Sequence, residues 1–387
     1  MERVKVIHVI TRMDLGGAQQ NTLHTVRHLD RRRYETVLVA GPGGPLESEV
    51  RDLFGRENPR AVILEPLIRR IHPALDLLAL LRLTSLFLNE KPLIVHTHSS
   101  KAGILARLAA WIARVPVVIH TYHGFGFNDY QPPATKTLYV WAERLCCLLA
   151  DALVFVSKSN EDYAKRHKLG DPKRYALIRS GVRLSDFPAK VEDKQKKKAS
   201  LGLGAQKLLV VSIGNLKPQK NPADFVAMAH KVALEVPEAE FLFIGDGPLR
   251  RRLECQILAS GLSARLALPG WRRDAAELLA CADVFVLNSL WEGLPRALIE
   301  AMKTGLPAVC YATDGVTDVL KDGVNGCVVP VGNISALARR VIELLKDEDL
   351  RRRLGGEAQR SIGAEFDIDE MVRAQERLYE RLLNSHG

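Results

Sequence analysis

The sequence predicts an α/β protein built from two Rossmann-like domains that face each other across a cleft. Three observations lead there. The 387 residues, 47% of them hydrophobic, suffice for two cores of ordinary size. Short β-branched runs alternate with helix-like segments along the whole chain, which is the pattern of parallel strands joined by crossover helices. The alternation lapses once, over the charged, apolar-poor stretch VEDKQKKKAS, and then restarts.

In the first half the strand candidates are VKVIHVI, ETVLVA, AVIL, LIVHTH, VPVVIH and ALVFVS. In the second they are KLLVVSIGN, EFLFIGDG, ARLALPG, ADVFVLNS, PAVCYA and NGCVVP. These runs place a first domain at residues 1–188, a linker at 189–200 and a second domain at 201–365. Residues 366–387 carry Met371, Val372, Leu378, Leu382 and Leu383 at three- and four-residue spacing, a helix that caps the second domain or returns to the first. The apolar stretch from Ala74 to Leu88 is interrupted by Asp76 and Arg82. It falls short of the roughly 20 residues that span a bilayer and reads as a core helix. In open α/β sheets ligands bind beyond the carboxyl ends of the strands, so the loops just after each strand are where function is sought.

Composition narrows the partners. The formal net charge is +10, and all of it falls on residues 1–190, which include Arg31, Arg32, Arg33, Arg69 and Arg70. Such a surface either serves solubility alone or meets an anionic membrane face or a phosphate-bearing acceptor. No aromatic residues interleave with the basic runs, which argues against nucleic acid. Six cysteines without CxxC spacing form neither a zinc-site pattern nor a disulfide framework, and the amino terminus has no secretory pattern. The expected location is therefore the cytoplasm, extending to peripheral attachment on the inner face of the plasma membrane.

The segment with most chemical content is SLWEGLPRALIEAMKTGLP, Ser289 to Pro307, directly after the strand ADVFVLN. Gly293 lets the backbone approach a ligand, and Pro295 suits the first helical position, where its missing N–H is no loss. The N–H groups of Gly293 and Leu294 then lie at a helix start, suited to a phosphate or a sugar oxygen. Glu292 and Glu300, about two helical turns apart, point two carboxylates into one cleft at a separation of about 10 Å. Spacing alone fits equally a plain loop-to-helix junction with two surface glutamates.

The context EGLPRALIEA, with Glu292 and Glu300 separated by seven residues, resembles the signature of the family-4 retaining glycosyltransferases, which have the GT-B fold. The resemblance extends over nearly the whole chain. TRMDLGGAQQNTL is similar to the family's glycine-rich loop, which implies that Gly16 and Gly17 turn tightly beside the donor diphosphate. SIGNLKPQKNP is similar to the phosphate-gripping loop, which implies that Lys220 pairs with the donor phosphates. Asn215 stands in that loop where many relatives carry arginine, with Lys217 nearby. FIGDGPLRRRLE matches the family's Gly-x-Gly-Pro turn through Gly245, Gly247 and Pro248. TDGVTDVLKDG carries Asp314, Gly315 and Asp318 where relatives have paired glycines and a glutamate, and RSGVRLSDF has Ser180 in place of an asparagine before Gly181.

Four histidines occur in two pairs, His96 with His98 and His120 with His123. Residues two apart on a strand share a face, but no cysteine or carboxylate completes a ligand set with the first pair. The resemblance implies a reaction without metal or other cofactor, in which His123 and Glu292 are catalytic and orient the sugar ring. It further implies that Glu300 holds the ribose and that Lys220, Gly293, Leu294, Pro295 and the glycine-rich loops hold the rest of the donor. The donor is then a nucleoside diphosphate sugar, a UDP-sugar in preference to a GDP-sugar. The acceptor is a glycan or lipid-linked molecule bound to the first domain, in cell-surface polysaccharide synthesis. The resemblance also implies that retention proceeds by front-side attack, with no obvious nucleophile on the opposite face. Two alternatives use the same architecture: a nucleotide-sugar epimerase and a catalytically silent sugar-nucleotide-binding subunit.

Overall fold

A computed structural model describes residues 3–53, 55, 57–127, 130–188 and 190–386. The chain divides into two units, one of Met1–Gly181 with Ile368–Gly387 and one of Val182–Asp367.

The first unit contains β1 (Val4–Ile10), β2 (Tyr34–Ala40), β3 (Arg60–Ile63), β4 (Ile94–His98), β5 (Val117–Tyr122), β6 (Ala152–Phe155) and β7 (Tyr175–Leu177). They form one parallel sheet in the order β3-β2-β1-β4-β5-β6-β7. The sheet is buried on both faces, which is why its strands are nearly continuous in β-branched residues. Ile7, Val9 and Val95 pack against Ala79, Leu83 and Phe87 of the helix Pro73–Glu90 and against the alanines of Ser100–Ile112. On the other face Val6, Ile94, Val117 and Ile119 pack under Met371, Val372, Leu378 and Tyr379 of the helix Ile368–His386. β7 escaped sequence reading because it is a three-residue edge strand with little apolar pattern.

The second unit contains β8 (Leu208–Ile213), β9 (Ala239–Ile244), β10 (Leu266–Ala267), β11 (Val284–Leu287), β12 (Ala308–Tyr311) and β13 (Cys327–Val329). Their parallel order is β10-β9-β8-β11-β12-β13. Its core runs from Phe225, Phe241 and Phe243 to Leu337, Val341 and Leu344.

Two expectations change. The chain passes between the units at residues 181–182 and 367–368, not at 189–200. Within that expected linker, Lys194–Ala199 is a helix of the second unit, capped by Asp193. Two of its lysines are paired on the fold: Lys197 with Asp274 and Glu277, and Lys198 with Asp283. Pro73–Glu90 is a covering helix and not a core helix, since Leu77, Leu81 and Leu88 are exposed while only its opposite stripe is buried. Among the described residues no helix is long and apolar enough to cross a membrane.

Candidate functional site

In the second sheet the direction of strand succession reverses between β8 and β11, and a crevice opens at such a switch point. The loop after β8 ends in the short turn Pro218–Lys220, and the loop after β11 leads through Glu292 to Pro295. Cross-bonds hold the two together. Leu290 N donates to Gln219 O at 2.8 Å, Gln219 Nε2 to Trp291 O at 3.0 Å, and Asn288 Nδ2 to Asn221 O at 2.6 Å. Asn221, left-handed at φ 48°, and Pro222 start the next helix and fix where Lys220 leaves the backbone. The result is a nearly buried ion pair between Lys220 Nζ and Glu292 Oε1. The lysine stem lies across Gly214, where a Cβ would sit 3.3 Å from its Cγ and Cδ.

The loops after β9 and β12 close onto the same place. Gly245, at φ 145°, touches Gly214, because a Cβ would fall 1.9 Å from Gly214 O. Gly315 does the same to Gly293, also at 1.9 Å from its carbonyl oxygen. Asp314 and Asp318 bracket that contact on the short helix Asp314–Thr317 and its cap. Asn215 lies in the β8 loop, its carbonyl oxygen accepting from Lys217 N.

Pro295 differs from expectation by one position. The helix is Arg296–Thr304, and Pro295 caps it with extended ψ of 99° while its carbonyl accepts from Leu298 N at 3.1 Å. Gly293 and Leu294 therefore belong to the approach loop. The first helical residue is Arg296, since only the residue after an extended cap takes helical dihedrals. Glu300 lies on this helix with Arg296 Nη2 3.9 Å from its Oε1. Burial raises the Glu300 carboxyl above its ordinary range, partly offset by Arg296, and the same burial lowers the Arg296 guanidinium.

In the first sheet the switch point lies between β1 and β4. Thr11, after β1, accepts from Ala102 N at 3.1 Å and shares a 2.7 Å hydroxyl contact with Ser99, which is left-handed at φ 62°. Gly16 caps the helix Gly17–His28 in extended conformation, so it does not supply a left-handed turn. The glycine that this loop requires is Gly44 after β2, at φ 109°, where a Cβ would lie 2.3 Å from Met13 O. The motif around Gly16 and Gly17 gave no hint of it, because the contact joins two loops.

His123 follows β5 directly, and its Nε2 lies 3.1 Å from His98 Nδ1. Its own Nδ1 is buried with no hydrogen-bond partner among the described residues. Burial lowers His123 to about 4, so the ring is neutral near pH 7. The histidine pair of β4 acquires a third member that sequence reading left out. His8 of β1 brings its ring to His96 and His98, with one nitrogen from each of the three within 4.8 Å of the others. Its signal was a polar residue at an inward position of an otherwise apolar strand. Each nitrogen of the three already has a partner among His98, His123, Tyr379, Thr121 and His8. The structure thus brings Asn215, Lys220, Glu292, Gly293, Leu294, Pro295 and Glu300 into the second unit, and Gly16, Gly17 and His123 into the first.

The family model described as Glycosyltransferase Family 4 matches residues 15–186, and that described as Glycosyl transferases group 1 matches residues 193–361. The chain is 33% identical over 352 residues to the UDP-Gal:alpha-D-GlcNAc-diphosphoundecaprenol alpha-1,3-galactosyltransferase of Escherichia coli, covering 90% of this chain and 89% of that protein. It is 25% identical to the lipopolysaccharide core biosynthesis glycosyltransferase LpsE of Rhizobium meliloti, over 96% of this chain and 97% of the relative. Among solved structures, Anabaena Alr3699/HepE in complex with UDP and glucose superposes with a TM-score of 0.84 at 18% identity, over 98% of this chain and 100% of that one. WaaG, a glycosyltransferase involved in lipopolysaccharide biosynthesis, does so with 0.74 at 13% identity, over 95% and 98%.

Proposed function

The chain belongs to the family-4 glycosyltransferases, with the GT-B fold, and on that premise we propose that it moves a sugar, with retention, from a UDP-sugar to a sugar carried on a polyprenyl diphosphate. The observation that carries this reading is the Lys220–Glu292 pair at the switch point of the second sheet, walled by Gly214, Gly245, Gly293 and Gly315. Four loops with no side chain at the contact leave backbone where a diphosphate can lie close. Lys220 supplies the point charge, which the β8 loop needs because Asn215 brings none.

Departure of UDP from the anomeric carbon is the step that develops charge. As the bond from that carbon to the diphosphate oxygen lengthens, the oxygen becomes more negative, and a lysine fixed beforehand stabilises it without reorganising. In the absence of a donor Glu292 keeps the Lys220 ammonium in place; with a donor bound, the ammonium is shared with the diphosphate and Glu292 is released to accept from a sugar hydroxyl. Glu300 accepts from the ribose. The acceptor hydroxyl attacks on the face that UDP leaves, and its proton passes to the departing diphosphate oxygen, so the configuration is retained. We assign His123 a contact with the sugar, as the resemblance implies. No metal or other cofactor takes part, the charge being met by Lys220 and by backbone N–H groups.

The acceptor class follows from the chemistry that the Escherichia coli relative's name specifies. Two surface features agree with it. Leu138, Trp141, Leu145 and Leu148 are all more than half exposed at three- and four-residue spacing along Pro133–Cys147 and its cap. Leu77, Leu81 and Leu88 make a second exposed row on Pro73–Glu90. Apolar rows of this kind on a basic domain suit shallow insertion into an anionic bilayer. We place the protein in the cytoplasm, peripheral on the inner face of the plasma membrane.

The experiment is a thermal-shift comparison of UDP-, GDP- and ADP-sugars on the wild type, Lys220→Ala and Glu300→Ala. A donor at a hundred times its dissociation constant stabilises the fold by about 2.7 kcal/mol. UDP-sugars are expected to raise the melting temperature of the wild type and to lose that effect in both variants. Equal shifts in all three proteins would contradict the assignment of the donor site.

A further inference from the structure

A single file of hydrogen bonds runs through the first unit from the C-terminal helix to His123. Tyr379 Oη lies 2.6 Å from His96 Nδ1 and 3.4 Å from His8 Nε2. His96 Nε2 lies 2.7 Å from Thr121 Oγ1. His8 Nδ1 lies 3.1 Å from His98 Nε2, and His98 Nδ1 lies 3.1 Å from His123 Nε2. The members come from β1, β4, β5 and Ile368–His386, and His8 pairs with His96 in the strand register. His8, His96, His98 and Tyr379 are fully or almost fully buried.

Each link needs one donor and one acceptor, and a neutral imidazole has one of each. A hydroxyl has one proton to give, so fixing which imidazole Tyr379 donates to fixes all the other links. A phenol donates more strongly than it accepts, so the short Tyr379 contact is the one it donates, to His96 Nδ1. His96 then carries its proton on Nε2 and gives it to Thr121. The longer Tyr379 contact is accepted from His8 Nε2–H, which leaves His8 Nδ1 to accept from His98 Nε2–H. His98 Nδ1 accepts in turn from His123 Nε2–H.

We infer that Tyr379, His8 and His98 are positioning residues that hold His123 in its Nε2–H tautomer, so that Nδ1 presents a lone pair and accepts a hydrogen bond from a hydroxyl of the donor sugar. This rests on the sugar-contacting role given to His123 above. The observation that points to a ligand is the Nδ1 itself, buried and with no partner among the described residues. With the file reversed, the same atom would donate, and a hydroxyl would have to turn its oxygen toward it. The tautomer thus sets which hydroxyl geometry the site accepts, as an orienting third group does for a catalytic histidine.

The test reads the His123 ring nitrogens by long-range 1H–15N correlation in the histidine-labelled full chain, assigned with His123→Asn. The wild type is expected to show one Nε2–H tautomer at His123. Tyr379→Phe removes only the hydroxyl and is expected to give a mixture. His98→Gln keeps an amide at the Nε2 position but not at Nδ1 and is expected to release His123 as well. A wild-type His123 protonated on Nδ1, or one unchanged in both variants, overturns the proposal. Kinetics add a second reading: Tyr379→Phe is expected to lower kcat for transfer roughly tenfold with the KM for the nucleotide sugar nearly unchanged. The spectrum needs neither donor nor acceptor. Absence of turnover in the wild type would therefore count against the transferase reading alone, while the wrong tautomer would count against the hydrogen-bond file alone.

Discussion

Glu300 and Glu292 are close in sequence and different in surroundings. Glu292 is tied to an ammonium, whereas Glu300 lies near the more distant Arg296, and burial raises its carboxyl. If the ribose hydroxyls donate to Glu300, its ionised form binds them more strongly, since protonation turns one acceptor oxygen into a donor. A raised value means that this form is lost at a higher pH than for an ordinary glutamate, so donor affinity falls as pH falls through that range. Glu300→Gln is expected to weaken UDP binding at neutral pH and to remove this part of the pH dependence, measured by calorimetry across a pH series. An unchanged pH profile in the variant would exclude Glu300 as the titrating group. The glutamates, Lys220 and Gly293 were singled out in the sequence because each sits in a short segment that resembles a family motif; spacing alone left a plain loop-to-helix junction equally open. The pairing of Lys220 with Glu292 was not, since it depends on which strands flank the switch point. His8 and Tyr379 were further out of reach, being 371 positions apart with nothing local to connect them.

Strands and helices follow the sequence pattern closely where burial is two-sided. β1, β8 and β9 are predominantly apolar runs, broken only by Lys5 and His8, Ser212 and Glu240, and such runs are what a parallel sheet covered on both faces requires. β7, too short to show a period, and Pro73–Glu90, apolar on more than its buried stripe, are where the pattern misleads. The surplus apolar face of that helix and the row along Pro133–Cys147 carry a prediction of their own. Replacing Trp141 and Leu145 together by glutamine is expected to reduce co-sedimentation with vesicles containing anionic phospholipid severalfold while leaving UDP binding intact. Equal sedimentation of both proteins would assign these rows to some other contact.

At the scale of the whole chain, the two-unit division was visible as a restart of the strand alternation, but its position was not. The sequence marks a boundary by composition, and a lysine run is polar whether it is solvated or held by Asp274, Glu277 and Asp283. The crossings fall at a close backbone approach. Gly181 lies against Ile368, where a Cβ would meet its Cα at 2.4 Å, and Val182 bridges Asp367 one residue further on. Turned so that its nitrogen donates to Gly181 O and its oxygen accepts from Gly181 N, the Asn21 amide closes on Gly181 from the helix Gly17–His28. The C-terminal helix, which sequence reading left between two destinations, packs on the sheet that contains β1.

We propose that Lys220 serves a metal-independent, retaining transfer from a UDP-sugar to a polyprenyl diphosphate sugar. The measurement that tests it most directly follows radiolabelled sugar from a panel of UDP-sugars onto such an acceptor in the presence of EDTA, with the anomeric configuration of the product read by NMR. Acceptor-dependent transfer with the donor's configuration kept is expected, with a loss of at least about a hundredfold in Lys220→Ala. An inverted product, a requirement for a divalent metal, or equal turnover in Lys220→Ala would contradict it.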